Sequence, residues 1–376
     1  MKRTTLLILL LAMLVVSCFA FTACHEHEFG EWTVTKQPNC TQAGSKERVC
    51  ECGKKQREAI DTIGPHGFQA TGVCQYCHLD LNDTLIKRYA MSATADDNVY
   101  GYVVSGPNGD YDAYIVGAGA MMDYTFNKSP FYNDGYDIKN AYISNGVTSI
   151  AERAFLNCTN LTNVTIGNSV TSIGDYAFQN CTGIASIDIP SNVTEIGEGA
   201  FLYCTNLTSL TIAEGVKSMG TAAFYGCSSL VSVTIPSTMT SISDRSFREC
   251  TSLVSVDIPS SVTSIENCAF QQCTSLTSID IPSSVTKIGE SAFLMCTGLT
   301  SITIPSGVTS IGDRAFLGCT NLKSVTFADP YGWYCNKTQG ATSGIDLTLT
   351  DATQNANYLV SEDYYRNYWW YKTANN

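Results

Sequence analysis

The central part of the chain repeats one pattern of apolar and polar positions every 23 residues. In one copy, Leu276, Ile279 and Ile281 are separated by small polar residues, and Pro282 follows. This alternation predicts a short parallel β-strand, and the proline ends it because it lacks the N–H that a strand ladder needs. Residues 285–288 are predicted to be a second extended piece, and an alanine–phenylalanine pair then forms a helical turn. Each copy therefore predicts one coil with two strands and one turn.

Eight cysteines occupy the same position in successive copies. They are Cys158, Cys181, Cys204, Cys227, Cys250, Cys273, Cys296 and Cys319. One copy cannot bury its own apolar face, so stacked copies must share a continuous core and form a solenoid. Eight coils at ~4.8 Å each give a rod roughly 38 Å long. Since the cysteines stack in parallel beside Phe and Leu positions, we expect them to fill the core as small buried residues, not to form disulfides.

The repeated segment from Ile173 to Cys181 and its sister copies resemble the BspA-like leucine-rich repeats of bacterial surface antigens. The resemblance covers residues 141–337 and implies a β-rich leucine-rich-repeat solenoid of short parallel strands. Residues 79–140 are then a linker and an N-terminal cap, and residues 338–376 resemble the C-terminal cap. The aromatic cluster near the C-terminus favours a cap over a sugar-stacking surface, because an open parallel edge would invite aggregation. The family resemblance also implies adhesion to host matrix proteins, other cells or glycans.

The N-terminus carries an export signal. Residues 1–23 have basic residues, an apolar stretch and small residues in the order of a secretory signal peptide. The segment Phe21-Thr22-Ala23-Cys24 resembles a bacterial lipobox, with phenylalanine where leucine is usual, and predicts lipidation of Cys24. A second lipobox ending at Cys18, and plain cleavage after Ala20 with free secretion, are the alternatives. The chain is therefore predicted to be exported to the cell surface or outer envelope, where a lipid would be its membrane attachment.

Residues 24–78 differ in composition from the repeats and predict a small module held by cysteine and histidine. Few apolar residues are available to build a core there, so the segment needs disulfides or a bound metal ion to hold it together. Two close cysteine pairs, Cys50 with Cys52 and Cys74 with Cys77, resemble the two knuckles of a zinc ribbon, the first being one residue short. They are the predicted ligands of a structural zinc ion.

Other assignments compete for the same segment. It also resembles a small cysteine-rich module of bacterial surface proteins. In that module the ligand set would be Cys40, Cys50, Cys52 and His66. Disulfides are a third alternative, because an exported chain enters an oxidising compartment. The residues from Cys74 to His78 also match the c-type haem attachment motif. A haem attached there would make this module redox-active.

The outward column of the first strand is the predicted binding face. Its members lie two residues before each proline site, and serines neighbour nearly all of them. Short side chains lose little rotamer entropy when a partner covers them, so this flat polar face suits an extracellular protein or glycan better than a small molecule. A plain solvated surface is the alternative. Three aspartates interrupted by threonines do not supply the six or more oxygens that calcium needs. The column consists of Thr165, Asp188, Thr211, Thr234, Asp257, Asp280, Thr303 and Thr326.

Charge and histidine placement narrow the function. A net charge of −12 with only 22 basic residues argues against a nucleic-acid partner. All four histidines precede the repeats, so no histidine-based catalytic arrangement forms within the solenoid, and no catalytic residues are predicted. The prediction is a non-catalytic, adhesin-like binding scaffold of the cell envelope. The alternatives are a secreted enzyme or redox protein that works through the N-terminal module, and a purely structural envelope protein.

Overall fold

The computed structural model places the chain in two compact units, residues 1–64 and 65–376. No helix within the described ranges is long and apolar enough to cross a membrane. The described residues are 33–36, 44–49, 55–60, 85–105, 109–125, 128–133, 136–360 and 367–373.

The first unit contains a three-stranded antiparallel sheet. Its strands are β1 (Thr33–Lys36), β2 (Gly44–Val49) and β3 (Lys55–Ile60). β2 is central, and its pairing with β3 is continuous from Gly44 opposite Ile60 to Val49 opposite Lys55.

The second unit begins with an antiparallel meander of β4 (Leu85–Ala90), β5 (Asn98–Ser105) and β6 (Tyr111–Ala120). The last of these strands, β6, connects the meander to the solenoid. Its first half pairs in parallel with β7 (Ile138–Ile143), and its end pairs in parallel with β8 (Val147–Ile150). β6 therefore covers the first coil and starts two columns of strands.

The solenoid that follows has two columns of parallel strands, and we call each 23-residue coil a rung. Within a column, hydrogen-bonded strands are offset by 23 residues, as in Asp188 opposite Thr211 and Ile173 opposite Ile196. About nine rungs follow one another, which confirms the predicted leucine-rich-repeat solenoid. The first column contains β7, β9 (Asn163–Ile166), β11 (Ser186–Ile189), β13 (Ser209–Ile212), β15 (Ser232–Thr234), β17 (Ser255–Asp257), β20 (Ser301–Ile304) and β22 (Ser324–Phe327). The second contains β8, β10 (Ser172–Ile173), β12 (Glu195–Ile196), β14 (Ser218–Met219), β16 (Ser241–Ile242), β18 (Ser264–Ile265), β19 (Lys287–Ile288) and β21 (Ser310–Ile311).

One predicted strand does not pair. Residues 278–281, in the copy that carries Pro282, form no strand in the first column, although Ile279 and Ile281 are buried as the pattern predicts. In four successive rungs a proline follows this strand. Each of these rungs therefore lacks a backbone N–H donor at the end of the strand. The prolines are Pro236, Pro259, Pro282 and Pro305.

The turn of each rung forms a third ladder. In the first turn, the backbone N–H groups of Arg153, Phe155 and Asn157 donate to carbonyls of the next rung at 2.7–2.9 Å. The intervening residues donate back within the turn, so the predicted helical turn is instead a hydrogen-bonded turn ladder. Two positions of every turn have a left-handed backbone conformation, as at Arg153 (φ 58°) and Asn157 (φ 61°).

Columns of isoleucine, phenylalanine and cysteine fill the interior. The phenylalanine rings of adjacent rungs stack at centroid distances of 5.1–5.8 Å, from Phe155 to Phe316, and Phe131 stacks on the first ring at 5.0 Å. Phe131 lies in α1 (Pro130–Asn133), which closes the N-terminal end of this stack. Burying one such side chain contributes about 1.5–3 kcal/mol, so the stack is a principal source of stability.

The last rung is covered on both columns. α2 (Ala352–Val360) packs on β22, where the Asn355 side chain donates to the Val325 carbonyl at 2.9 Å. β25 (Trp369–Lys372) pairs antiparallel with β21 and with β23 (Trp333–Asn336), which also pairs with β24 (Ile345–Asp346). Trp370 is 1% exposed and stacks on Phe327, so this tryptophan serves the cap.

Both strand columns are interrupted at one level, which we call the seam. It separates the rung of β13 and β14 from the rung of β15 and β16. β13 is not hydrogen-bonded to β15 as a strand, and β14 is not hydrogen-bonded to β16. The turn ladder continues across it, and the Phe224 and Phe247 rings lie 5.8 Å apart there, against 5.1 Å one rung earlier. Side chains bridge the gap instead: Ser237 donates to the Glu214 carboxylate, and the Ser243 hydroxyl donates to the Met219 carbonyl.

Candidate functional site

The predicted binding column forms one straight row on the outside of the first strand column. Each member alternates with apolar residues that are buried or partly buried, which fixes the side chain outward. Seven of the eight members are exposed, and Thr165 at the N-terminal end is half-buried. Register places neighbours opposite each other, as in Asp188 with Thr211, Thr234 with Asp257, and Thr303 with Thr326. The structure therefore brings the predicted residues together on one polar face, which the break between β13 and β15 interrupts between Thr211 and Thr234.

The hydroxyls of this column differ from those elsewhere on the solenoid. Threonines beside the second column donate to the carbonyl 23 residues earlier, as Thr171, Thr263 and Thr309 do at 3.1 Å. The threonines and aspartates of the binding column make no side-chain hydrogen bond to any described residue. Their donors and acceptors are thus open to solvent or to a partner.

The column extends one rung further towards the N-terminus than the sequence prediction. Tyr142 lies opposite Thr165 in the same register, and its ring stacks on that of Tyr114 at 4.6 Å and 19°. Burial raises the pKa of the Tyr142 hydroxyl, with the Asp112 charge as a second cause. The signal was available, because Tyr142 precedes Thr165 by one period, but a tyrosine does not match the small residues of the later copies.

A polar ladder accompanies this N-terminal end. The Asn163 amide donates to the Asn140 side-chain carbonyl at 2.7 Å, and the Asn140 amide donates to Asp112 at 2.6 Å. Burial raises the pKa of the Asp112 carboxyl, and the hydrogen bond from Asn140 opposes that rise. Side-chain hydrogen bonds therefore link the rungs at this end of the face, whereas serines replace the asparagines in the middle.

The eight ladder cysteines are buried free thiols, as the sequence predicts. Seven of them also donate their S–H to a phenylalanine carbonyl of the preceding rung, for example Cys181 to Phe155 at 3.1 Å. This bond was not predicted from the sequence, and it explains why a thiol suits this position better than a plain apolar group. Burial raises the pKa of the Cys204 thiol to about 12. The ladder is therefore unreactive, since the thiolate is the nucleophile and the metal ligand.

Two further cysteines in the described part of the chain lie outside the ladder. Cys335 is buried in β23 and free, and burial raises its pKa to about 12. Cys268 is half-buried and free at a left-handed turn position (φ 55°), and burial is the first cause of its raised pKa.

The predicted lipidation and metal residues lie outside the described residues. Among the residues that the structure describes, no three His, Cys, Asp or Glu side chains are grouped so that they could hold a metal ion. The residues that remain predictions are Cys24 for lipidation, and Cys50, Cys52, Cys74 and Cys77, with Cys40 and His66 as alternatives, for zinc.

Comparison with known proteins agrees with this architecture. The model of the BspA type leucine-rich repeat region matches in six copies over residues 125–243 and 217–332, which is more than half of the chain. No curated protein matches the chain.

Solved structures with the same kind of repeat are similar to this chain. A leucine-rich repeat protein from Bacteroides ovatus is 24% identical, with a TM-score of 0.50 over 66% of this chain and 72% of its own. A leucine-rich repeat protein from T. pallidum is 25% identical (TM-score 0.39; 61% and 90% covered). A leucine-rich cell surface protein from Faecalibacterium prausnitzii is 23% identical (TM-score 0.26; 65% and 96% covered). From the repeat match and the 23-residue solenoid together, the chain belongs to the BspA-type leucine-rich repeat family.

Proposed function

We propose that this protein is a non-catalytic binding scaffold of the cell surface, which engages an extracellular protein or glycan through the outward column of the first strands. The observation that carries the proposal is the row of exposed hydroxyls and carboxylates on the first strand column, which make no hydrogen bond to any described residue. A partner that covers this row gains hydrogen bonds without first breaking any within the solenoid, and the short side chains lose little entropy.

Anchoring at the surface is part of the same proposal. The N-terminal signal layout and the lipobox ending at Cys24 support export with diacylation of that cysteine. Residues 24–78 would then link the lipid to the solenoid as a small module held by zinc or disulfides. Intact mass of the membrane-extracted protein, with zinc measured on the same sample, tests both points. An unlipidated chain on the cell surface would contradict the anchor.

Substitution of the face tests the binding role. Thr211→Arg with Thr234→Arg places two large cations on neighbouring rungs of the column, where both positions are exposed. The matched control is Ser260→Arg with Ser283→Arg, which adds the same charge at exposed positions beyond the prolines of two neighbouring rungs.

Saturable binding of the purified protein to extracellular matrix and to cultured cells is the readout. We expect the strand-face pair to lose binding by about tenfold or more and the control pair to bind as the parent does. Equal binding by both pairs would remove the column from the proposal. Loss of binding in both would mean that added charge, not the face, is responsible.

A further inference from the structure

Two tyrosines lie side by side on neighbouring rungs of the turn side. Tyr203 is 37% exposed, and its ring centroid lies 5.1 Å from that of the half-buried Tyr225, with the planes tilted by 48°. A Cβ on Gly226 would lie 2.3 Å from the Tyr203 ring, so the glycine leaves the space that this ring occupies. The turn ladder holds both residues by backbone hydrogen bonds to adjacent rungs. The pair is thus a preformed aromatic surface.

Two charged groups of the next rung contact Tyr225, one at its hydroxyl and the other over a face of its ring. The Tyr225 hydroxyl donates to the Glu249 carboxylate at 2.9 Å, and the Arg248 guanidinium lies 5.0 Å from the centre of the Tyr225 ring. Arg248 and Glu249 contact each other at 3.4 Å, and their side chains are 27% and 32% exposed. These groups therefore present both hydrogen-bond donors and acceptors, and the two charges offset each other.

This combination matches the chemistry of a sugar ring. A pyranose has a face of C–H groups, which packs on the electron-rich face of an aromatic ring, and an edge of hydroxyls, each of which both donates and accepts. A carboxylate and a guanidinium supply paired acceptors and donors for such hydroxyls. A protein interface of similar size would favour tyrosine and arginine too, but its core is depleted of carboxylates. Because Arg248 balances Glu249, the patch offers no excess charge for a sulfated or sialylated chain.

We propose that Tyr203, Tyr225, Arg248 and Glu249 form a binding site for a neutral oligosaccharide on the turn side of the solenoid. This site is separate from the strand-face column and does not depend on it. In this arrangement the exposed ring of Tyr203 packs on the sugar, and the charged pair beside Tyr225 hydrogen-bonds the sugar hydroxyls.

The repeats themselves provide matched substitutions. Asparagine occupies the position of Tyr203 in two earlier rungs, at Asn157 and Asn180, with the same left-handed backbone. Tyr203→Asn therefore removes the ring and keeps a residue that this turn accepts. Glu249→Gln keeps the shape of the side chain and removes its charge. Ser283→Arg, at an exposed position beyond Pro282, is the control outside both the patch and the strand-face column.

The experiment is a printed array of neutral, sialylated and sulfated oligosaccharides, with glycoproteins printed in intact and enzymatically deglycosylated form, probed with the purified full-length protein. Titration calorimetry with the strongest neutral oligosaccharide follows. We expect neutral glycans to bind, Tyr203→Asn and Glu249→Gln to weaken binding by about tenfold or more, and Ser283→Arg to bind as the parent does.

Three results would overturn the proposal: no neutral glycan bound, binding confined to acidic glycans, or affinity unchanged in both patch variants. Patch-dependent binding to the deglycosylated proteins would instead assign the surface to a polypeptide partner. Thermal unfolding of each variant separates loss of the site from loss of the fold. Loss of binding in Ser283→Arg alone would place the glycan outside the patch.

Discussion

The ring of Tyr203 occupies the space that a side chain on Gly226 would need, one rung further along the solenoid. Both residues have left-handed backbones, at φ 59° and φ 73°. The same relationship recurs where Tyr176 lies against Gly199 and Met295 lies against Gly318. Glycine therefore follows a large side chain in these turn columns, so its presence reflects the neighbour as well as the backbone angle.

Replacing Gly226 by alanine should lower the free energy of unfolding by about 3 kcal/mol, because the left-handed backbone is strained and the Cβ meets the Tyr203 ring. Gly340→Ala, at φ 74° with nothing within 4 Å of the added Cβ, is the control for the backbone effect alone and should cost about 1–2 kcal/mol. Urea unfolding of the two variants and of Gly226→Ala combined with Tyr203→Asn measures the coupling. An additive double variant would contradict the contact.

Other left-handed positions carry residues that glycine would improve. Gln272 has φ 61° and occupies the turn position of Glu249 one rung further along. Its side chain makes no hydrogen bond to any described residue. Gln272→Gly should raise the free energy of unfolding by about 0.5–1.5 kcal/mol, because glycine adopts this conformation without strain. The neighbouring Gln271 has no positive φ, so Gln271→Gly should lower stability by about 0.5–1 kcal/mol. Urea unfolding decides; destabilisation by both variants would show that the turn ladder removes the strain.

The sequence predicted the solenoid because the core columns are strict. Isoleucine, phenylalanine and cysteine offsets recur at 23 residues, since a stacked core tolerates little change in volume. The turn columns were not predictable, because backbone hydrogen bonds between rungs impose the left-handed conformation on residues as different as Arg153, Tyr176 and Cys268. The proposed sugar-binding patch was not predictable either. It lies at turn positions where the copies differ, whereas the 23-residue period reveals only the residues that the copies share.

The cysteine ladder predicts loss of stability at alkaline pH. An unfolded thiol ionises near its ordinary pKa of 9.0, whereas burial raises the pKa of folded Cys204 and Cys319 to about 12. The unfolded state releases its protons first, so this contribution is fully present below pH 9 and is lost as the pH rises towards about 12. Each thiol should lower the free energy of unfolding by about 1.4 kcal/mol per pH unit in that window.

Urea unfolding at several pH values between 7 and 11 measures this slope. Cys204→Ala removes one ionising group, so its stability should fall less steeply above pH 9 than that of the parent, even though it is lower at pH 7. Tyrosines also ionise in this range, but they are common to both proteins and cancel in the difference. Identical slopes for the parent and Cys204→Ala would contradict the assignment.

The seam between β14 and β16 predicts a local weakness in the middle of the solenoid. Across it the Ser243 amide makes no backbone hydrogen bond to the preceding rung, whereas the Glu266 amide, one period later, donates to Ile242 at 2.9 Å. Hydrogen exchange should therefore be faster at Ser243 than at Glu266 under native conditions.

The side chain of Ser243 partly replaces the missing ladder bond, since its hydroxyl donates to the Met219 carbonyl at 2.5 Å. Ser243→Ala should lower the free energy of unfolding by about 1 kcal/mol and speed exchange in both flanking rungs. Exchange that stays uniform from β12 to β18 in the parent would show that the turn ladder alone holds the rungs together. A faster seam would instead divide the solenoid into two blocks joined on the turn side, next to Tyr225 and Arg248, so that a ligand bound there would bridge the two blocks.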